Sequence, residues 1–191
     1  MALYGLLGHT QPKHYVEIGS GHSTKFARRA ITDLGLNTKI RSIDPLPRAE
    51  VDPLCDEVVR SRLENVDPSW AEAVEPGDIL FVDGSHRCFE NSDATVFFLE
   101  ILPRLRPGVL VEIHDIFLPF DYPDPWNVNY WSEQYLLGSY LLAGGKRMEI
   151  SLPNAYISRD RELRGLLDPL WTELGLDAGE WPGVSFWVRT R

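Results

Sequence analysis

Glu17, Asp44, Asp83, His86, His114 and Asp115 are the residues of this chain best suited to chemistry, and their spacing is ordered. Glu17 precedes a Gly-Ser-Gly turn. Asp44, Asp83 and the pair His114-Asp115 each follow a short apolar run. Carboxylates so placed can hold a cationic group, accept hydrogen bonds from hydroxyls, or ligate a cation. Histidines so placed can remove a proton near neutral pH.

The segment from Glu17 to Thr24 contains Gly19, Ser20, Gly21 and Ser23. Glycines admit a ligand close to the backbone, and the start of a helix offers unpaired N–H groups. This is not the dinucleotide fingerprint GxGxxG, because Thr24 stands where its last glycine would be. A carboxylate at Glu17 also repels a pyrophosphate, while it suits a cationic group. Asp44, at the end of the next apolar run, can accept both hydrogen bonds of a ribose diol. A cationic amino-acid end joined to a ribose describes S-adenosylmethionine.

These residues need elements to present them. His14–Gly19, Ile40–Asp44, Ile79–Asp83 and Val109–Ile113 read as strands, and Glu57–Arg62 as a weaker one. Ser23–Leu34, Asp67–Val74 and Ser92–Leu102 read as the helices between them. Further on, a helix is expected over Tyr130–Ala143, ended by Gly144-Gly145, another over Glu162–Leu174, and final strands over Met148–Leu152 and Ser185–Val188. Strands alternating with helices predict an α/β fold with a doubly wound, mostly parallel sheet. Such sheets bind ligands at the carboxyl ends of their strands, which is where the chemistry-bearing residues fall.

The length of 191 residues suits one domain, over residues 1–191. A net charge of −9 argues against duplex DNA and anionic membranes as partners. No apolar run approaches the roughly 20 residues that span a bilayer, and Met1–Lys13 lacks the pattern of a signal peptide. Two cysteines, Cys55 and Cys88, without a CxxC pair, point to a reducing, cytoplasmic setting.

The stretch from Val16 to Gly21, with Ile43-Asp44, Phe81 to His86 and Ile113 to Asp115, resembles a class I S-adenosylmethionine-dependent methyltransferase. More narrowly, it resembles the methyltransferase-24 group, which includes sugar O-methyltransferases of antibiotic pathways. The resemblance runs from about Tyr15 to Asp115 in the expected order. It implies a Rossmann-like seven-stranded sheet of order 3-2-1-4-5-7-6 with an antiparallel last strand. It implies that Glu17, Gly19, Ser20, Gly21 and Ser23 line the methionine end of the cofactor, that Asp44 holds the ribose, and that Asp83 lies near the methionine amine. Adenine contacts are expected near Leu63 to Asn65, where no distinctive pattern is seen.

Methyl transfer to oxygen needs a base or a Lewis acid, since an alcohol is a poor nucleophile. His86, His114 and Asp115 are the candidate catalytic residues. Asp83 and Asp115 are the candidate ligands of a magnesium-type ion, although a His-Asp pair departs from the paired acids of related enzymes. His114 and Asp115 share a pocket only if the strand has already ended between them. Asp93 reads as a helix-start residue. The chain reaches its first strand almost at once, so cover for the site is expected from the aromatic stretch Phe117–Trp131 or from a partner chain. That stretch can hold a sugar ring or planar acceptor, or pack upon itself. The expected reaction is O-methylation of a small hydroxylated acceptor, a sugar or natural product. The apolar Tyr130–Ala143 helix offers a homo-oligomer surface, and the alternative role is a scaffold that kept the fold and lost the chemistry.

Overall fold

The computed structural model describes residues 2–144, 147–176 and 183–191. Gly145, the second half of the expected Gly-Gly stop, lies outside the described residues. Short β-branched runs form the strands, and their apolar residues fill both faces of the sheet. In chain order the elements are α1 (Ala2–Thr10), β1 (His14–Ile18), α2 (His22–Asp33), β2 (Lys39–Ile43), β3 (Glu57–Val59), β4 (Ile79–Val82), α3 (Asp93–Val96) and β5 (Leu110–Ile113). There follow α4 (Glu133–Leu142), β6 (Met148–Pro153), α5 (Asn154–Ile157), α6 (Arg161–Gly165), α7 (Asp168–Leu174) and β7 (Phe186–Thr190).

The seven strands lie in the order β3-β2-β1-β4-β5-β7-β6. The first five run parallel, and β7 is antiparallel to both β5 and β6. This is the doubly wound sheet that the alternation of elements predicts. Alternation along the strands divides the core into two layers. Val16, Ile18, Leu80, Val82, Val111 and Ile113 pack with Phe97, Ile101 and Leu137 on one face. Tyr15, Phe81, Leu110 and Trp187 pack with Leu7, Ala27, Ala30 and Ile31 on the other.

Three elements depart from the pattern expected of the sequence. The helix expected over Ser92–Leu102 is α-helical only to Val96. It then widens into a π-turn over Phe97–Ile101, and Pro103 tightens the final turn. The reading of Glu162–Leu174 as one helix gives way to α6 and α7, separated where Gly165 ends one and Pro169 starts the next. The segment Pro68–Ala73 is a 3₁₀ helix capped by Asp67, which accepts from the Ser69 N–H at 2.9 Å.

The segment before β1 departs further. Residues 2–10 are not a bare lead-in to β1 but a helix, α1, which lies against α2 with Leu7 fully buried. Its first residues Ala2, Leu3 and Tyr4 line the main cavity. The aromatic stretch packs instead: Phe117, Tyr122, Trp126 and Trp131 form an edge-to-face cluster with centroids 5.0–6.1 Å apart, and none of them lines that cavity. Leu7→Ala should therefore lower the stability of the whole domain by about 2–5 kcal/mol, the usual range for emptying a buried leucine site. Urea denaturation checks this; a change below about 0.5 kcal/mol would mean that α1 is not docked.

Candidate active site

The loop after β1 is built by backbone proximity. Gly19 leaves the strand at φ +79°, and a β-carbon there would overlap the Asp83 carbonyl. Only glycine permits that approach. The Ser20 N–H donates to Asp44 Oδ2 at 2.6 Å, and the Ser20 and Ser42 hydroxyls are 2.6 Å apart. Asp44 also accepts from the Leu46 N–H at 2.8 Å. It thus joins the loops after β1 and β2 while presenting its edge to the cavity.

Glu17 lies beneath this loop. It is fully buried, accepts from the Tyr15 hydroxyl at 2.8 Å and from the Thr24 hydroxyl, and Thr24 in turn accepts from the Gly21 N–H at 3.0 Å. Burial pushes its carboxyl up to about 7 against these hydrogen bonds. Glu17 is not among the cavity-lining residues. It braces the loop that is.

The cavity has a volume of about 660 Å³, within the range of small-molecule sites. Gly19, Ser20, Gly21 and Ser23 line it, with Asp44 where β2 ends and Asp83 and His114 where β4 and β5 end. Three strand spacings, about 14 Å, separate the β2 and β5 ends, so an occupant must be elongated. Leu63 and Glu64 also line it. Ser185 and Trp187 from the β7 end contribute too, and nothing in the sequence pattern pointed to them.

His86 and His114 occupy different environments. His86 has only 2 % of its surface exposed and adopts φ +60°. Its Nδ1 is 2.9 Å from Glu133 Oε2, and its Nε2 is 3.2 Å from Asp83 Oδ1 and 3.5 Å from Asp115 Oδ2. Burial opposes its charge, yet the carboxylate partners prevail and hold its pKa up to about 10. Its carbonyl accepts from the Ser132 and Glu133 N–H groups at the start of α4. His114 is open to the cavity, with 31 % of its side chain exposed. Its Nδ1 lies 3.0 Å from Glu112 Oε1. Burial again opposes the charge, but Glu112 and the nearby Asp83 and Asp115 raise the pKa to about 9.

Strand β5 ends at Ile113, and Asp115 turns at φ +54°. The strand has therefore ended in time for His114 and Asp115 to share one site. Asp115 itself faces inward to the His86 network, and burial pushes its carboxyl up. Asp93 does more than start a helix: it accepts from the Ser85 N–H at 2.6 Å and from the Ser85 hydroxyl, and a β-carbon on Gly84 would strike its carboxylate. Glu112 and Glu133 escaped the sequence reading. The available signals were a carboxylate two residues before His114 on the same strand face, and the lone charge in an apolar helix.

One ligand atom each from Asp83, His86 and Asp115 falls within 4.8 Å of the others. The donor chemistry does not fit a magnesium-type ion, which takes oxygen ligands. His86 Nε2 stands 3.2 Å from Asp83 Oδ1 and 3.5 Å from Asp115 Oδ2, so that a protonated imidazole bridges the two carboxylates directly.

A methyltransferase-domain family, methyltransferase-24, matches residues 16–116. The chain belongs to this family, of the class I S-adenosylmethionine-dependent methyltransferases. No curated protein sequence matches it. Among solved structures it is similar to the methyltransferase PaMTH1 of Podospora anserina, bound to S-adenosylhomocysteine (14% identity, 100% of this chain and 76% of that one, TM-score 0.56). It is also similar to an O-methyltransferase from Bacillus cereus in complex with the same compound (15%, 99% and 78%, TM-score 0.52). A third is the plantazolicin methyltransferase BpumL with the same compound (14%, 99% and 82%, TM-score 0.55). At these identities the likeness is one of fold.

His86→Gln should cost about 3–5 kcal/mol, the penalty for leaving buried carboxylates without their cation. The folded pKa of His86 lies above its unfolded value. Its contribution is therefore fully present below about pH 6.5 and is lost as pH rises toward 10. Denaturation midpoints of both proteins across that window test this, and a gap that widened with pH would refute it. EDTA should leave the wild-type melting temperature unchanged, whereas a clear fall would place an ion in the cluster.

Proposed function

We propose that this protein transfers a methyl group from S-adenosylmethionine to a hydroxyl oxygen of a small acceptor, a sugar or natural-product scaffold. The observation that carries the reading is that Asp44 and His114 line one elongated cavity, with the glycine turn between them. The cofactor fits this lining: a glycine-locked cradle at Gly19, a carboxylate at Asp44 for a diol, and a carboxylate at Asp83 for an ammonium group.

The cofactor supplies an electrophilic methyl group on a sulfonium. The chain does the rest. Gly19, Ser20, Gly21 and Ser23 give close backbone approach and the start of α2. Asp44 accepts from the ribose hydroxyls. Asp83, whose carboxyl His86 and His114 hold below its ordinary range despite burial, pairs with the methionine ammonium. His114 Nε2 takes the proton of the acceptor hydroxyl. His86 and Asp115 hold the surrounding loops rather than the acceptor, since His86 is closed off and both its nitrogens are engaged.

Tyr4, Phe26, Leu46 and Phe89 also line the cavity, and the last three are largely exposed. They favour an acceptor with an apolar or ring face over one that is polar all round. Among the described residues no helix is long and apolar enough to cross a membrane, and Cys55 and Cys88 are free thiols. Both agree with a cytoplasmic enzyme. Helix α4 buries Glu133, Gln134 and Leu137 but leaves Tyr135 and Leu142 exposed, which supports a second copy of the chain as a partner there.

Calorimetric titration with S-adenosylhomocysteine should give one-to-one, micromolar binding. Asp44→Ala should weaken it at least tenfold, about 1.4 kcal/mol, and His114→Gln should leave it within about twofold. Absence of binding would overturn the reading in favour of a scaffold. For the base, kcat/KM should rise about tenfold per pH unit up to about pH 9 and then level, because only neutral His114 accepts a proton. A flat profile would remove that role.

A further inference from the structure

We infer that Glu112 is a positioning residue that fixes which nitrogen of His114 faces the cavity. The inference rests on the reading of His114 as the base and extends it to a residue outside the cavity.

Glu112 and His114 are two apart at the end of β5, so their side chains share one face. Glu112 is fully buried in the layer of Phe81 and Trp187, which flank it in register on β4 and β7. Its Oε1 lies 3.0 Å from His114 Nδ1. The Phe81 ring, 5.8 Å from the imidazole, limits how the ring can turn. An ionised carboxylate can only accept hydrogen bonds, so a neutral His114 must carry its hydrogen on Nδ1. Nε2 then keeps its lone pair. Its nearest carboxylate oxygen, Asp115 Oδ1, is 3.8 Å away, beyond hydrogen-bond range. Among the described residues, the nitrogen left without a hydrogen-bond partner is thus the one assigned to the cavity side.

The arrangement is costly as structure. Among the described residues, Glu112 Oε2 is buried with no hydrogen-bond partner. A strand otherwise reading Leu110, Val111, Ile113 would be served at least as well by an apolar residue there. A half-satisfied buried acid is explained by what its satisfied oxygen does for His114.

The test is ring-nitrogen NMR of the full chain labelled with ¹⁵N-histidine, at pH 9.5, without ligand. His114 is assigned by its loss in His114→Gln. The wild type should show the Nδ1–H tautomer in the neutral fraction, outweighing the other by about tenfold or more. Glu112→Leu should shift that ratio at least tenfold toward Nε2–H, and Glu112→Gln, whose amide oxygen still accepts, should retain the wild-type preference. A wild-type Nε2–H tautomer, or a Glu112→Leu spectrum like wild type, would overturn the assignment. If Glu112→Leu does not fold, the wild-type spectrum decides alone. S-adenosylhomocysteine titration separates the two readings: binding with the wrong tautomer refutes only the role of Glu112, whereas failure to bind refutes the methyltransferase reading itself.

Discussion

His86 carries its charge at the point where carboxylates from three separate segments converge: Asp83 after β4, Asp115 after β5 and Glu133 at the start of α4. Without that charge, three acids would be forced together in a poorly solvated space, and burial alone would drive them toward protonation. With it, the exits of two neighbouring strands are held in register with a helix that lies far away in sequence. The backbone shares the task, since the His86 carbonyl takes the first N–H groups of α4. A left-handed φ at a residue with a β-carbon is uncommon, and here it lets carbonyl and imidazole engage the same helix end. The cavity beside this network owes its shape to it: Asp83 can face outward because His86 holds it from behind.

The sheet was legible because its signals are local. Four apolar runs, each closed by a polar residue or a glycine, give strands that end at one edge; their order came from the family resemblance, and the sheet follows it. The residues that line the cavity were legible for the same reason, since Gly19, Asp44 and Asp83 follow their strands directly. Helix α1 was not. Its sequence carries glycines at Gly5 and Gly8 and little amphipathic pattern, so its burial is decided by the α2 surface that receives Leu7. The aromatic stretch after β5 gave a composition without a direction: the same rings can hold a ligand or one another, and packing chose the latter. The different environments of the two histidines were likewise invisible, because the acids that separate them, Glu112 and Glu133, meet their partners only in the folded chain.

Two fully buried glutamates, Glu17 and Glu112, stand on the same face of the sheet with Phe81 in register between them. Burial raises both carboxyls to about 7, so the sheet bears similar costs for each. Their surroundings differ. Glu17 has a partner on each oxygen, Tyr15 and Thr24, and through Thr24 it closes the turn at Gly21. Such an acid is accounted for by structure, and its effect on a ligand is indirect. Glu112 has one satisfied oxygen, and that oxygen holds the imidazole that reaches the cavity. One acid therefore braces the glycine turn that lines the cavity, and the other holds the imidazole that opens onto it. The opposite face carries a larger apolar cluster, built on Val16, Leu80, Val111 and Phe97.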